Sequence, residues 1–172
     1  LGLGMLYNEY MKKTQPTLRP IVQVKDFSLP IGDKQIVKEL TFEVMPGEVF
    51  AFLGSNGSGK TSTIRSLLNI YEATTGTLLV NGKKLTPENA ANVGYLPEER
   101  GLYTRSKVLD TMIYFGELKG MTRDAAKAFS LAFLEQVELS DKANVKIKKL
   151  SGGQQQKIQL GVAIMGHPKL LI

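Results

Sequence analysis

The sequence predicts an α/β fold with a mostly parallel sheet at its core, and three observations carry the prediction. A continuous apolar run, Val49-Phe50-Ala51-Phe52-Leu53, reads as a strand buried on both faces. A glycine-rich loop follows it directly, and the stretch after the loop, Thr61–Ile70, reads as a helix. Further along, short strand-like runs and stretches of helical spacing are separated by turn signals.

The bulk numbers bound the possibilities. A chain of 172 residues fits one domain and is long enough to bury a core. Its 42% hydrophobic and 22% charged residues are ordinary for a globular protein, which argues against a disordered chain. There are no cysteines, so disulfides, thiol catalysis and thiolate metal sites are excluded. His167 is the only histidine, so no histidine cluster can hold a metal. The net charge of +6 admits acidic partners without choosing among them. The densest basic stretch, Lys142, Lys146, Lys148 and Lys149, reads as a solvated loop. No apolar run approaches the ~18 residues that a membrane helix needs. Leu1–Leu6 is too short for a signal peptide, and an initial Leu suggests a fragment or a processed chain. Any link to a membrane is therefore expected through a partner or through chain beyond this stretch.

Residues 1–20 form a lead-in, because Lys12, Lys13, Pro16, Arg19 and Pro20 break periodicity. Ile21, Val22 and Val24 make a first strand; Ile36, Val37, Leu40, Phe42 and Val44 make a second. Pro46-Gly47-Glu48 turns the chain into the apolar run. Thr77–Val80 is a short strand closed by Asn81-Gly82, a hairpin signal. Val93–Leu96 is another strand, ended by Pro97. Val108–Lys119 and Arg123–Val137 are helices separated by Gly120, and Ser151–Met165 is the last helix. Leu170–Ile172 begins one more apolar run.

Gly54-Ser55-Asn56-Gly57-Ser58-Gly59-Lys60-Thr61 matches the phosphate-loop pattern G-x-x-x-x-G-K-[ST] without a gap. The glycines permit a tight backbone path that aims several N–H groups inward as a nest for an anion. The positive end of the next helix adds to that attraction. Lys60 is placed for the β- and γ-phosphates, the Thr61 hydroxyl for Mg²⁺, and Ser62 for another phosphate oxygen. This makes the fold a P-loop NTPase core.

A second motif, Leu150-Ser151-Gly152-Gly153-Gln154, follows about 90 residues later. Ser151 is a good N-cap, and Gly152 and Gly153 leave N–H groups uncovered at the positive end of a helix. With this pair of motifs the chain resembles the ATP-binding cassette family, whose signature motif is Leu-Ser-Gly-Gly-Gln. The resemblance covers about Ile21 to Ile172 as one incomplete domain. It implies an antiparallel β-subdomain and a helical subdomain at about 101–146. It also implies a head-to-tail dimer, in which the signature helix of one subunit closes over the ATP on the phosphate loop of the other. Gly94-Tyr95-Leu96-Pro97 resembles the lead into the family's glutamine loop, and Pro168–Ile172 resembles the lead into its Walker B strand.

Three departures stand out. Glu98 occupies the glutamine position; a carboxylate can face Mg²⁺ but cannot donate a hydrogen bond. The segment Pro97–Tyr103 looks like a variant found in a branch of exporter ATPases. The aromatic residue that stacks on adenine in the family falls near Ile31, with Phe27 or Tyr7 as substitutes. The chain stops at Ile172, where the family continues with the Walker B Asp, the catalytic Glu and a switch His. His167 precedes that strand and reads as a turn residue before Pro168. Within this stretch no catalytic carboxylate is expected, so ATP binding without turnover is the expectation.

The resemblance implies an ATPase subunit of an ABC exporter, using ATP and Mg²⁺, at the cytoplasmic face of a membrane. Its partners would be a transmembrane domain or subunit and a second nucleotide-binding domain. A ribosome- or nucleic-acid-acting ABC ATPase is the alternative; the spacing between the motifs leaves no room for a coiled-coil insert, and nucleic acid is not expected. No Asn-Lys-x-Asp pattern supports a GTPase.

Overall fold

Strand β1, Val22–Ile31, turns through Gly32 and Asp33 into β2, Lys34–Val44, so that Ile31 pairs with Lys34 and Val22 with Val44. These coordinates are a computed structural model, which describes residues 19–72, 75–99 and 101–172. The Tyr7 alternative and most of the lead-in lie outside the described residues. The chain divides into two compact units, Leu1–Thr86 and Pro87–Ile172.

In the first unit β3, Thr75–Val80, pairs antiparallel with the other edge of β1, giving the order β2-β1-β3. Val22, Val24, Phe27 and Leu29 of β1 are all buried. Val22 and Val24 are two positions apart, as are Phe27 and Leu29, but Val24 and Phe27 are three apart. A bulge makes up that difference: Asp26 takes a positive φ of 50°, and its N–H donates to Thr41 Oγ1 at 2.9 Å. This break in alternation is why β1 runs well past the expected Ile21–Val24. Val37, Val44, Leu67, Leu78, Val80 and Leu85 complete the unit's buried apolar set. At the end of β3, Asn81 and Gly82 both adopt positive φ, and Val80 bridges Lys83. The expected tight turn forms.

Helix α1 spans Lys60–Leu67, shorter than the expected Thr61–Ile70. It ends because Asn69 adopts a left-handed φ of 56°, while Ile70 N–H reaches back to Arg65 O at 2.8 Å.

The expected strand at 49–53 does not form. Val49 is 101% and Leu53 87% exposed, and no strand pairs with this segment among the described residues. An apolar run becomes a strand only beside another strand that takes up its N–H and C=O groups. What the segment does make is an aromatic contact: Phe50 stacks on Phe42 of β2 at 5.0 Å, and Phe52 lies 5.7 Å from the same ring.

In the second unit β4, Val93–Gly94, pairs parallel with β5, Leu170–Leu171. Parallel pairing among the described residues is confined to these two short strands. Between them lie α2, Val108–Leu118; α3, Arg123–Gln136; and α4, Gly152–Ile164. Thr122 caps α3 by accepting from Ala125 N–H at 3.3 Å. The core gathers Val108, Met112, Phe133, Leu134, Ile147, Leu150, Ile158 and Met165. The basic stretch, expected as a solvated loop, instead contains two 3-10 turns, Ser140–Lys142 and Ile147–Lys149, with Lys146, Lys148 and Lys149 exposed and Lys142 half-buried. Ile147 is its buried anchor, and its main chain is pinned by Ile147 N–H to Ser106 O and Lys148 N–H to Thr104 O. His167 takes a positive φ of 53° and bonds back to Ile164 O, so it is a turn residue.

Candidate nucleotide-binding site

The phosphate loop is built around its last glycine. Gly59 has φ 92° and ψ 6°, a left-handed N-cap, and it carries no side-chain cap. A Cβ there would sit 2.7 Å from Val37 Cγ2 and 3.2 Å from Ile36 O, so β2 presses directly on this position. Only glycine combines that φ with that close approach. The first N–H groups of α1 are consequently left without an intrahelical or side-chain acceptor, which is the condition for anion binding at a helix start. Ser58 N–H bonds to Ser55 O at 3.2 Å and closes the turn before it. Residues 54–58 are exposed.

Lys60 Nζ donates to Gly54 O at 2.7 Å and to Ser55 O at 2.8 Å. The ammonium thus lies folded over its own loop, held at the mouth of the nest by carbonyls that a phosphate oxygen can replace with a stronger, charge-assisted acceptor. Thr61 is exposed and Ser62 half-buried, both in the first turn of α1. The next hydroxyl, that of Thr63, is buried and donates to Gly59 O at 2.9 Å. It fastens the helix start rather than reaching a ligand.

The second motif folds as a capping box. Ser151 Oγ accepts from Gln154 N–H at 3.3 Å, and Gln154 Oε1 accepts from Ser151 N–H at 2.9 Å. Leu150 is buried in the core and anchors the loop behind the cap. Gly152 and Gly153 occupy the first helical positions, and a Cβ on Gly153 would meet nothing within 4 Å. That glycine is therefore not required by packing. Its lack of a side chain leaves the helix start open to whatever approaches from outside. Gln154, by contrast, has its side chain committed to the cap.

Glu98 is exposed in the loop after β4, with no hydrogen-bond or ionic partner among the described residues. The loop itself is held: Leu96 N–H bonds to Ile172 O at 2.8 Å, and Gln159 Nε2 donates to Glu99 O at 3.0 Å. Ile31 ends β1 at the Gly32-Asp33 turn. Phe27 is fully buried, so its ring belongs to the core and has no face for a base; that substitute is withdrawn. Thr61 belongs to the first unit, and Glu98 and the signature motif to the second.

Sequence reasoning passed over two features of the second unit. One is a surface cavity of about 290 Å³ lined by Tyr103, Ser106, Asp110, Thr111 and Tyr114. Tyr103 and Tyr114 are exposed and meet edge to face at 5.7 Å. A hydrogen bond with Tyr103, and then repulsion between the two phenolates, raises the Tyr114 hydroxyl above its ordinary range. The other is Gln159, whose signal was a second glutamine one turn after Gln155 on an apolar helix face.

The phosphate loop with its uncapped helix defines a nucleotide-binding P-loop protein, and the second glycine-rich helix start narrows the class further. The chain belongs to the ABC transporter family, whose model matches residues 37–172. It is 41% identical over 155 residues to the ABC transporter ATP-binding protein MJ1023 of Methanocaldococcus jannaschii, covering 90% of this chain and 56% of that one. It is 36% identical over 145 residues to the Nod factor export ATP-binding protein I of Paraburkholderia xenovorans, covering 82% and 47%. The chain spans about half the length of these curated relatives. Among solved structures, an ATP-binding subunit of an ABC transporter superposes with a TM-score of 0.81 at 24% identity, over 88% of this chain and 64% of that chain. That likeness confirms the P-loop NTPase fold class. Among the described residues the antiparallel sheet outweighs the parallel pairing, against the expected mostly parallel sheet.

Proposed function

We propose that the full-length protein is the ATP-binding and ATP-hydrolysing subunit of a membrane exporter, working with Mg²⁺ as a pair of nucleotide-binding domains. The observation that carries this reading is the pair of helix starts in one short chain, at Lys60 and Gly152, each with N–H groups left uncovered. One such start binds one phosphate group; two imply a ligand approached from both sides.

ATP supplies the triphosphate, and Mg²⁺ supplies charge neutralisation at its β- and γ-oxygens. The residues present fit both. Gly54, Ser55, Asn56, Gly57, Ser58 and Gly59 wrap the phosphates with main-chain N–H groups, and Lys60 turns its ammonium from the loop carbonyls to the β- and γ-oxygens. Ser62 takes a further phosphate oxygen. The Thr61 hydroxyl and the Glu98 carboxylate are hard oxygen donors suited to Mg²⁺. The position that would meet the base falls at Ile31, whose side chain lies outside the described residues. Ser151, Gly152 and Gly153 close over the triphosphate held by the partner copy, with Leu150 and Gln154 fixing their geometry.

Among the described residues no helix is long and apolar enough to cross a membrane; in this reading the membrane component is a transmembrane domain or subunit. The helical subdomain at about 101–146 docks it at the cytoplasmic face. The Tyr103–Asp110–Tyr114 cavity, lined by two tyrosine rings and one carboxylate, suits a cationic side chain from its cytoplasmic segment. The export direction is supported by the names of relatives such as the Nod factor export protein.

Equilibrium binding of ATP to the full-length chain tests the core of this reading. Lys60→Ala should weaken binding by about tenfold to a hundredfold, the range expected for losing a charged hydrogen bond. Unchanged ATP affinity, or steeply salt-dependent RNA binding with none to ATP, would overturn it.

A further inference from the structure

Helix α4 carries two buried amides on one face, one turn apart. Gln155 is 8% exposed and Gln159 is 6% exposed. Each spends its Nε2 on a main-chain carbonyl. Gln155 grips Leu150 O at 3.0 Å, immediately before the signature serine, and Gln159 grips Glu99 O at 3.0 Å, immediately after Glu98. Burying an amide is unfavourable unless it is bonded, and an aliphatic side chain would fill the same space without that cost. The retained amide therefore points to its partner rather than to packing.

On the far side of Glu98 the same helix is again the anchor. Gly94 of β4 lies so close to α4 that a Cβ would collide with Ala163 O. The acidic loop is thus tied to α4 before Glu98 by the β4 contact and after it by Gln159. The helix whose N-terminus is Ser151 also sets where the Glu98 carboxylate can be.

We infer that Gln159 is a positioning residue: it locks the Glu98 loop to the signature helix, so that the metal-side carboxylate and the helix start at Ser151–Gly153 move as one piece. This rests on the proposed function for its consequence, because it makes engagement of the signature helix and placement of Glu98 a single event. The lock itself is a property of the free chain.

The test uses the full-length protein, with its membrane partner for turnover, and the substitutions Gln159→Leu, Glu98→Gln and both together. In hydrogen exchange on the free chain, Gln159→Leu should speed the amides of residues 98–102 by about tenfold while α1 and the interior of α4 stay as in the parent. Gln159→Glu, of the same size but unable to donate, should do the same and stands in if the leucine variant fails to fold. The Mg²⁺ concentration for half-maximal ATP turnover should rise by about tenfold, the usual effect of losing an outer-shell partner, while metal-free ATP affinity stays within about twofold. In the Glu98→Gln background, Gln159→Leu should add nothing further. Unchanged exchange at 98–102, or effects of the two substitutions that multiply, would overturn the inference. A parent protein that neither binds nor hydrolyses ATP would overturn the proposed function instead, and the exchange result would still decide the lock.

Discussion

Gly59 holds the phosphate loop to its path, because three demands meet on one residue. Its φ of 92° is left-handed, its position is the helix N-cap, and Val37 Cγ2 stands 2.7 Å from where a Cβ would be. Gly59→Ala should therefore cost at least about 2 kcal/mol in urea unfolding, from backbone strain alone, before the clash is counted. Lys60 is different: its partners are loop carbonyls at the surface, and its substitution should leave stability near the parent while weakening ATP binding. At this scale the sequence was highly legible, since the motif prescribes residue types whose reasons are local. Phe27 was misread for the opposite reason. Its burial depends on the bulge at Asp26, which shifts the inward-facing positions by one and leaves no trace in composition.

Among the elements, α4 separates folding from function within one motif. Ser151→Ala removes the capping box and should lower stability by about 1 kcal/mol. Gly153→Ala should be neutral or stabilising by up to about 1 kcal/mol, because its Cβ meets open space and alanine favours helix. Yet it should impair ATP-driven association, since the methyl covers the helix start. Chemical denaturation beside sedimentation with ATP would show the opposed signs. The other end of α4 is capped from outside by Lys119, whose Nζ donates to Val162 O and Ala163 O at 2.8 Å and to Met165 O at 3.2 Å. Burial lowers the Lys119 pKa below its ordinary 10.5. The unfolded chain therefore keeps this proton to higher pH than the folded one, and stability should rise with pH in the window just below 10.5. Lys119→Met should cost about 1 to 2 kcal/mol near neutral pH and flatten that rise in melting experiments. The boundaries of α4 were readable because serine cap, glycines and apolar spacing agree. Residues 49–53 were not, because hydrophobicity reports a tendency to be covered and cannot name the strand that does the covering.

As a whole molecule, the chain presents its two glycine-rich helix starts in separate compact units, Lys60 in one and Ser151 in the other. The family match over residues 37–172 spans both. The pairing of these sites on one nucleotide is the centre of the account, and mixing two defective full-length chains tests it most directly. One chain carries Lys60→Ala and the other Gly153→Asp, which sets a negative charge at the signature helix start. If the triphosphate is held between phosphate loop and signature of opposite copies, each mutant pair alone lacks any intact site. A mixed pair rebuilds one, from the loop of the Gly153→Asp chain and the signature of the Lys60→Ala chain. Photocrosslinking of labelled ATP should then be stronger in the mixture than in either component, with the gain confined to the chain with the intact phosphate loop. A mixture no better than its components would contradict the account.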